Sequence, residues 1–351
     1  MTIEAPGRQV IAVQMLRGIA ATMVVFFHIN VQLIRLHFAP LHSAWMASGV
    51  DIFFVISGFI MWTSVEARGG MSAGAFIRNR LIRIVPLYWL LTAFVVAVAL
   101  IAPETLKSTV LVPSHALASF FFVPVRHPIF DSFWPLLIPG WTLNYEMFFY
   151  LLFAMSLALC NGSRVIRFVL IASLLVGSFL MADLLMRDAD VLHFYANPIL
   201  LEFLVGVALG VVWNARVIRR SYAFTLIVAA GFFTLWAGAV PVSSLPLTIV
   251  GSALIVGGAV FLPTIRWNAL SALGDASYSL YLSHGISLAA LAWLWAAVPI
   301  DLGGRTFVVF AVPCSIAVAF VMYRYFEMPV TAALKSFRVR SLVAVQPVSG
   351  A

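Results

Sequence analysis

Seven ionisable side chains stand inside otherwise apolar stretches of the sequence: Arg17, His28, Asp51, Glu146, Glu202, Asp275 and His284. A charge inside a lipid-spanning helix costs about 3 kcal/mol or more, so such residues are kept for function or for pairing with one another. Arg17 and His28 lie eleven positions apart. At about 100° per residue they share one face of a helix, separated by ~16 Å along its axis. Imidazole titrates near neutral pH and suits proton abstraction. The planar fork of a guanidinium suits phosphate. Arg80 and Arg83, with Arg78 just before them, fall at the depth of Arg17. His28, Asp51, Glu146, Glu202 and His284 fall at mid-depth or towards the opposite surface. The pattern therefore has a cationic zone fit for phosphates and a zone of imidazoles and carboxylates fit for proton transfer. A carboxylate, Asp51 or Glu146, is expected to orient His28 or stabilise its charged form.

The elements that must position these groups are membrane-spanning helices. The chain has 351 residues, of which 63% are hydrophobic and 10% charged, with a mean hydropathy of +1.05. Soluble domains carry about 25% charged residues. This composition excludes a soluble enzyme, a disordered chain and a nucleic-acid-binding module. Apolar runs of roughly 20 residues predict ten spans, at 10–33, 44–65, 82–102, 141–160, 165–186, 194–214, 222–240, 245–263, 270–298 and 304–326. The segment 110–124 is apolar but short, bounded by Pro113 and Pro124, and reads as an interfacial or re-entrant piece of one long loop.

The net charge of +8 follows membrane topology. With the N-terminus inside, fifteen Arg and Lys fall in cytoplasmic segments and five (Arg35, Lys107, Arg126, Arg187 and Arg305) in outer ones. That bias follows the positive-inside rule and places both termini in the cytoplasm. The first span is too long, and carries Arg17 and His28, to be a cleaved signal. Cys160 and Cys314 lack metal-ligand spacing and are not expected to form a disulfide. The whole chain reads as a single membrane domain, with a core at 10–329 and a cytoplasmic tail at 330–351.

Three classes fit this layout. One is a transferase that takes a phosphate-bearing donor from the cytoplasm and uses His28 to activate an acceptor hydroxyl. Another is a proton-coupled transporter relaying protons through its carboxylates and histidines. The third is a structural partner in a polysaccharide-export complex. Bland readings stand beside the functional ones. The arginines outside the spans serve topology, and Trp134 and Trp141 fit an interfacial aromatic belt better than a sugar platform. Glu327 and Pro329 read as helix termination, and Asp275 as an exposed residue or a partner of arginine. Gly206 and Gly210 form a small-xxx-small pair that permits close helix packing. Arg17 escapes the topological reading because it lies within a span.

Seven blocks in order resemble the membrane acyltransferase-3 family, and within it the exopolysaccharide-production group that O-acetylates succinoglycan-type polymers. They are Leu16-Arg17-Gly18-Ile19-Ala20 through to His28; Gly49-Val50-Asp51-Ile52-Phe53-Phe54-Val55-Ile56-Ser57-Gly58-Phe59; Phe76 through Asn79, Arg80, Arg83, Ile84 and Pro86 to Tyr88-Trp89; Trp141-Thr142-Leu143 with Glu146, Phe149 and Tyr150; Glu202-Phe203 with Gly206; Tyr278-Ser279-Leu280-Tyr281-Leu282 with His284; and Tyr325-Phe326-Glu327 with Pro329. They extend over residues 16–329.

The resemblance implies an all-α polytopic protein of about ten helices in a bacterial cytoplasmic (inner) membrane. It implies transfer of an acyl group, from acetyl-CoA or another acyl-CoA, to a carbohydrate hydroxyl. The family's functional Arg, His and Arg pair carry over to Arg17, His28, Arg80 and Arg83. The expected catalytic group is then His28 with Asp51 and Glu146; the donor would be held by Arg17, Arg80 and Arg83. Trp141, Tyr281 and His284 are candidates for acceptor binding. No metal is expected. The expected partners are acyl-CoA, a polysaccharide or lipid-linked sugar, membrane lipids and polysaccharide-synthesis proteins, without nucleic acid. The short tail resembles members that carry no fused extracytoplasmic domain.

Overall fold

The computed structural model describes residues 11–106, 109–160, 162–185, 194–195, 197–238, 245–263, 267–298 and 302–343. Arg8, Lys107, Arg187 and Arg266, and the tail beyond 343, lie outside the described residues, as do the side chains of Arg338 and Arg340. The described residues form helices joined by loops, with no strand among them.

Thirteen α-helices are numbered here in chain order. They are α1 (Ile11–Arg35), α2 (Gly49–Glu66), α3 (Ala73–Ile101), α4 (Pro113–Phe120), α5 (Trp141–Leu159), α6 (Arg164–Leu185), α7 (Leu200–Ala215), α8 (Phe224–Gly238), α9 (Leu245–Val260), α10 (Asn268–Asp275), α11 (Ser277–Ala297), α12 (Gly304–Met322) and α13 (Met328–Val343). Seven helical stretches are long and apolar enough to cross a membrane, and α7, α8 and α9 are shorter apolar helices. Together they match the ten segments read from hydropathy, and the protein is an all-α polytopic membrane protein.

Three boundaries differ from the sequence reading. First, α3 begins nine residues before the expected start at 82. Ser72 caps it, its hydroxyl accepting from the Ala75 amide at 3.3 Å, so Arg78, Arg80 and Arg83 are helical residues rather than part of a loop. Second, the ninth segment is two helices, broken at Ala276. Third, Glu327 and Pro329 do not end the last span. The chain passes through a π turn at Tyr323–Glu327 and continues helically to Val343. Pro329 lies inside this continuous helix, two residues past the π turn, and does not end it.

Glycine sets how closely the helices approach. Helices α2 and α7 run parallel, with Gly206 against Val55 and Phe59 and Gly58 against Phe203 and Val207. A Cβ at Gly206 would overlap the Val55 carbonyl oxygen, and one at Gly58 the Phe203 carbonyl oxygen. The close packing expected for Gly206 is therefore present, while Gly210 meets the Trp62 side chain. Helices α8 and α9 pack antiparallel through Gly231, Gly251 and Gly258. Gly274 of α10 rides on the Gln14 carbonyl of α1. Helix α1 is central: Val13, Leu16, Ala20 and Met23 share a buried cluster with α2 and α9 residues. Ala21, Val25, Ile29 and Leu33 share another with α11 and α12.

The segment 110–124 contains the short helix α4, which is stapled to the loop preceding α5. His115 Nε2 donates to the Trp134 carbonyl at 2.8 Å, the Leu136 amide donates to Ser119 Oγ at 3.0 Å, and the Tyr88 hydroxyl donates to the Ser119 carbonyl at 2.8 Å. The buried His127 ring lies 5.3 Å from His115. Its Nδ1 accepts from the amides of Ile129 (3.2 Å) and Phe130 (3.3 Å). Burial, and then the neighbouring His115, hold the His127 pKa below the usual imidazole value. The folded loop thus prefers the neutral ring. Its contribution to loop stability is present above the ordinary pKa of about 6.5 and is lost as pH falls through the lower folded value. Acidification should cut hydrogen-exchange protection at Ile129 and Phe130, after correction for intrinsic rates. Protection that stays flat through that window would contradict this account.

Candidate functional site

His28, in the outer part of α1, and His284, midway along α11, bring their rings to 4.7 Å between centroids at 61°. His28 Nδ1 lies 2.9 Å from the Val24 carbonyl, and His284 Nδ1 lies 2.6 Å from the Tyr281 carbonyl. A carbonyl only accepts, so each Nδ1 carries the proton and each Nε2 presents a lone pair. His284 Nε2 is buried without a partner, whereas the His28 side chain is half-buried. A lone pair fixed in direction and free of a proton is what a general base requires.

Neither expected carboxylate is hydrogen-bonded to His28 among the described residues. The orienting group is instead the ring's own helix, through Val24. The Asp51 carboxyl faces that of Glu202 on α7, and Glu202 is wholly buried with no donor on either oxygen. Glu146 accepts from Ser57 Oγ at 3.1 Å and from the Tyr150 hydroxyl. It has Arg17, Arg80, Tyr278 and Tyr281 as electrostatic neighbours. Glu146 thus stands between the arginines and the Tyr281 that leads to His284.

The arginines gather where α1, α3 and the π turn meet. Arg17 donates to Gln14 Oε1 at 3.5 Å, and Gln14 Nε2 donates to Asp275. Asp275 is exposed and is linked to Arg17 only through this amide. The electrostatic neighbours of Arg17 are Arg83, Glu327, Glu146 and Asp275. Arg80 lies over the Phe76 ring at 5.5 Å and reaches Ser64 Oγ at 3.4 Å, while its Nε has no partner. Among the described residues, no carboxylate is within ion-pair distance of Arg17, Arg80 or Arg83; Glu66 pairs instead with Arg164 and Arg167. Three guanidiniums with spare donors form a site for an anion.

The remaining candidates are less free. The Tyr281 hydroxyl is shared with Thr142 Oγ1 at 2.9 Å and the Pro139 carbonyl at 3.2 Å. Trp141 is half-exposed and stacks edge-on against Tyr145 at 6.0 Å. Residue types and spacing did not single out Glu327, Ser57, Tyr150 or Gln14. The sequence alone reads Glu327, with Pro329, as helix termination; the structure instead buries it at the end of a π turn. No group of three or more His, Cys, Asp or Glu able to hold a metal occurs among the described residues. The arrangement puts a guanidinium, Arg17, and an imidazole, His28, on one helix about 16 Å apart along its axis, with Arg80 and Arg83 of α3 near the guanidinium.

Residues 10–324 match the model of the acyltransferase domain family. The chain is 35% identical over 309 residues to the exopolysaccharide production protein ExoZ of Rhizobium meliloti (strain 1021), covering 86% of this chain and 94% of that protein. It is 27% identical over 332 residues to nodulation protein 10 of Rhizobium leguminosarum bv. viciae, covering 82% and 87%. It is 25% identical over 309 residues to the putative peptidoglycan O-acetyltransferase YrhL of Bacillus subtilis (strain 168), covering 77% of this chain and 47% of that protein. No solved structure matches. A family match spanning nearly all the helices that carry Arg17, His28, Arg80, Arg83 and His284 places this chain in the acyltransferase domain family, as a multi-pass membrane acyltransferase.

Proposed function

We propose that the protein is an O-acyltransferase of a bacterial cytoplasmic membrane, with both termini in the cytoplasm. It moves an acetyl group from acetyl-CoA, or another acyl from its CoA ester, to a hydroxyl of an exopolysaccharide or other cell-surface sugar. The observation that carries this reading is the placement of the Arg17 guanidinium, with no ion-pair partner among the described residues, and the His28 imidazole on opposite halves of α1. The names of ExoZ and YrhL support a polymer acceptor and an acetyl group.

In this reading the CoA phosphates bind Arg80 and Arg83, with Arg17 deeper in the path, and the pantetheine arm extends along α1 towards His28. His28 Nε2 takes the proton of a sugar hydroxyl as the oxygen attacks the thioester carbonyl carbon. The carbon–sulfur bond breaks, and the departing thiolate recovers the proton from the imidazolium. His284 shares the site and limits how the His28 ring can tilt. Glu146 offsets part of the arginine charge. Asp51 stands with Glu202 of α7, away from His28 and the arginines. Trp141 lies where a sugar face would approach.

Mass spectrometry of surface polymers from strains with and without the gene tests the proposal. The expected result is loss of an acyl increment from one polymer, restored by the wild-type gene. An unchanged acyl content, or solute movement across vesicles without any acyl donor, would overturn it.

A further inference from the structure

Arg17 has two carboxylates in electrostatic range, Glu146 and Glu327, and Arg83 has Glu327, yet neither arginine forms an ion pair with them. Both acids are engaged elsewhere by hydroxyl donors. Glu146 accepts from Ser57 and Tyr150. Glu327 sits at the end of the π turn, 8% exposed, and its Oε2 accepts from Ser279 Oγ at 2.6 Å. Ser279 is itself fully buried and is the third residue of α11, where amides are unspent and the helix dipole favours a negative group. The Ser279 hydroxyl is the one hydrogen-bond donor to this carboxylate among the described residues.

The competing geometry is an ion pair. A carboxylate near two guanidiniums should collapse onto them, since a forked pair is stronger than a neutral hydrogen bond. Such a pair would consume the donors that an anionic ligand needs. We propose that Ser279 is a positioning residue whose hydroxyl tethers the Glu327 carboxylate to α11 and so keeps the donors of Arg17 and Arg83 free for a phosphate-bearing ligand. The π turn serves this arrangement, because its extra residue per turn brings Glu327 round to face α11 instead of leaving the carboxylate outside. Removing the hydroxyl leaves the carboxylate without that donor, and the acid then competes for the arginines.

This inference deepens the acyl-CoA reading of the same site, and the test separates the two. In full-length protein in detergent, coenzyme A binding and phenylglyoxal labelling of Arg17 and Arg83, read by mass spectrometry, are compared across variants. For Ser279→Ala, coenzyme A affinity should fall about fivefold, the worth of one hydrogen bond of about 1 kcal/mol, and labelling should slow. Ser279→Thr, which keeps a hydroxyl, should behave as wild type. The double variant Ser279→Ala/Glu327→Gln should regain both affinity and labelling, a rescue that a merely structural role for Ser279 would not give. Labelling that is indifferent to Ser279→Ala, or a double variant that is not rescued, overturns the tether. Wild type that binds no coenzyme A, with labelling still dependent on Ser279, supports the tether and overturns the CoA reading instead.

Discussion

Replacing His28 with alanine should reduce acyl transfer by roughly 10²–10⁴-fold, the usual contribution of a positioned general base, while membrane insertion and thermal stability change little. The ring is half-buried and makes a single hydrogen bond, to its own helix, so its loss opens only a small gap. The fall should appear in kcat, with KM for donor and acceptor nearly unchanged, because proton abstraction belongs to the transition state. His284→Ala is the informative companion. Its ring is wholly buried, and its Nε2 finds no partner. Removing it should destabilise the protein measurably and lower kcat less than His28→Ala does. If His28→Ala retained full transfer while His284→Ala abolished it, the base would be reassigned to α11.

Gly206→Ala should cause a large loss of stability for a single added methyl group. The added carbon would overlap the Val55 carbonyl oxygen and lie 2.8 Å from the Phe59 nitrogen. Both are backbone atoms and cannot rotate away as a side chain would, so the parallel α2–α7 pair must separate. Overpacking typically costs about 1–3 kcal/mol, more when backbone must move, and the upper end applies here. One turn before this contact on each helix are Asp51 and Glu202, so separation also removes each acid's partner and leaves Glu202 buried alone. The thermal midpoint in detergent should drop sharply, and transfer should fall with it. Gly74→Ala, where nothing lies within 4 Å, supplies the contrast and should be neutral. Equal midpoints for the two variants would refute the close-contact argument.

Much of this protein follows from sequence because lipid imposes strong rules. Backbone hydrogen bonds must close within each span, so apolar run lengths alone located the helices, and the fixed geometry of a helix placed Arg17 and His28 on one stripe. Local signals erred at helix ends. Ser72 outcompeted the polar stretch before residue 82 as the start of α3. Pro329 sits within a continuous helix, just past the π turn, rather than stopping it. Only the tertiary structure decided partners. His284 rather than a carboxylate lies beside His28, Asp51 faces Glu202, and Glu327 is held by Ser279. The residues in those pairs are separated by 256, 151 and 48 positions. Which helix lies next to which depends on where glycines let backbones touch, and on the extra residue of a π turn. Neither is encoded in the spacing along any single helix.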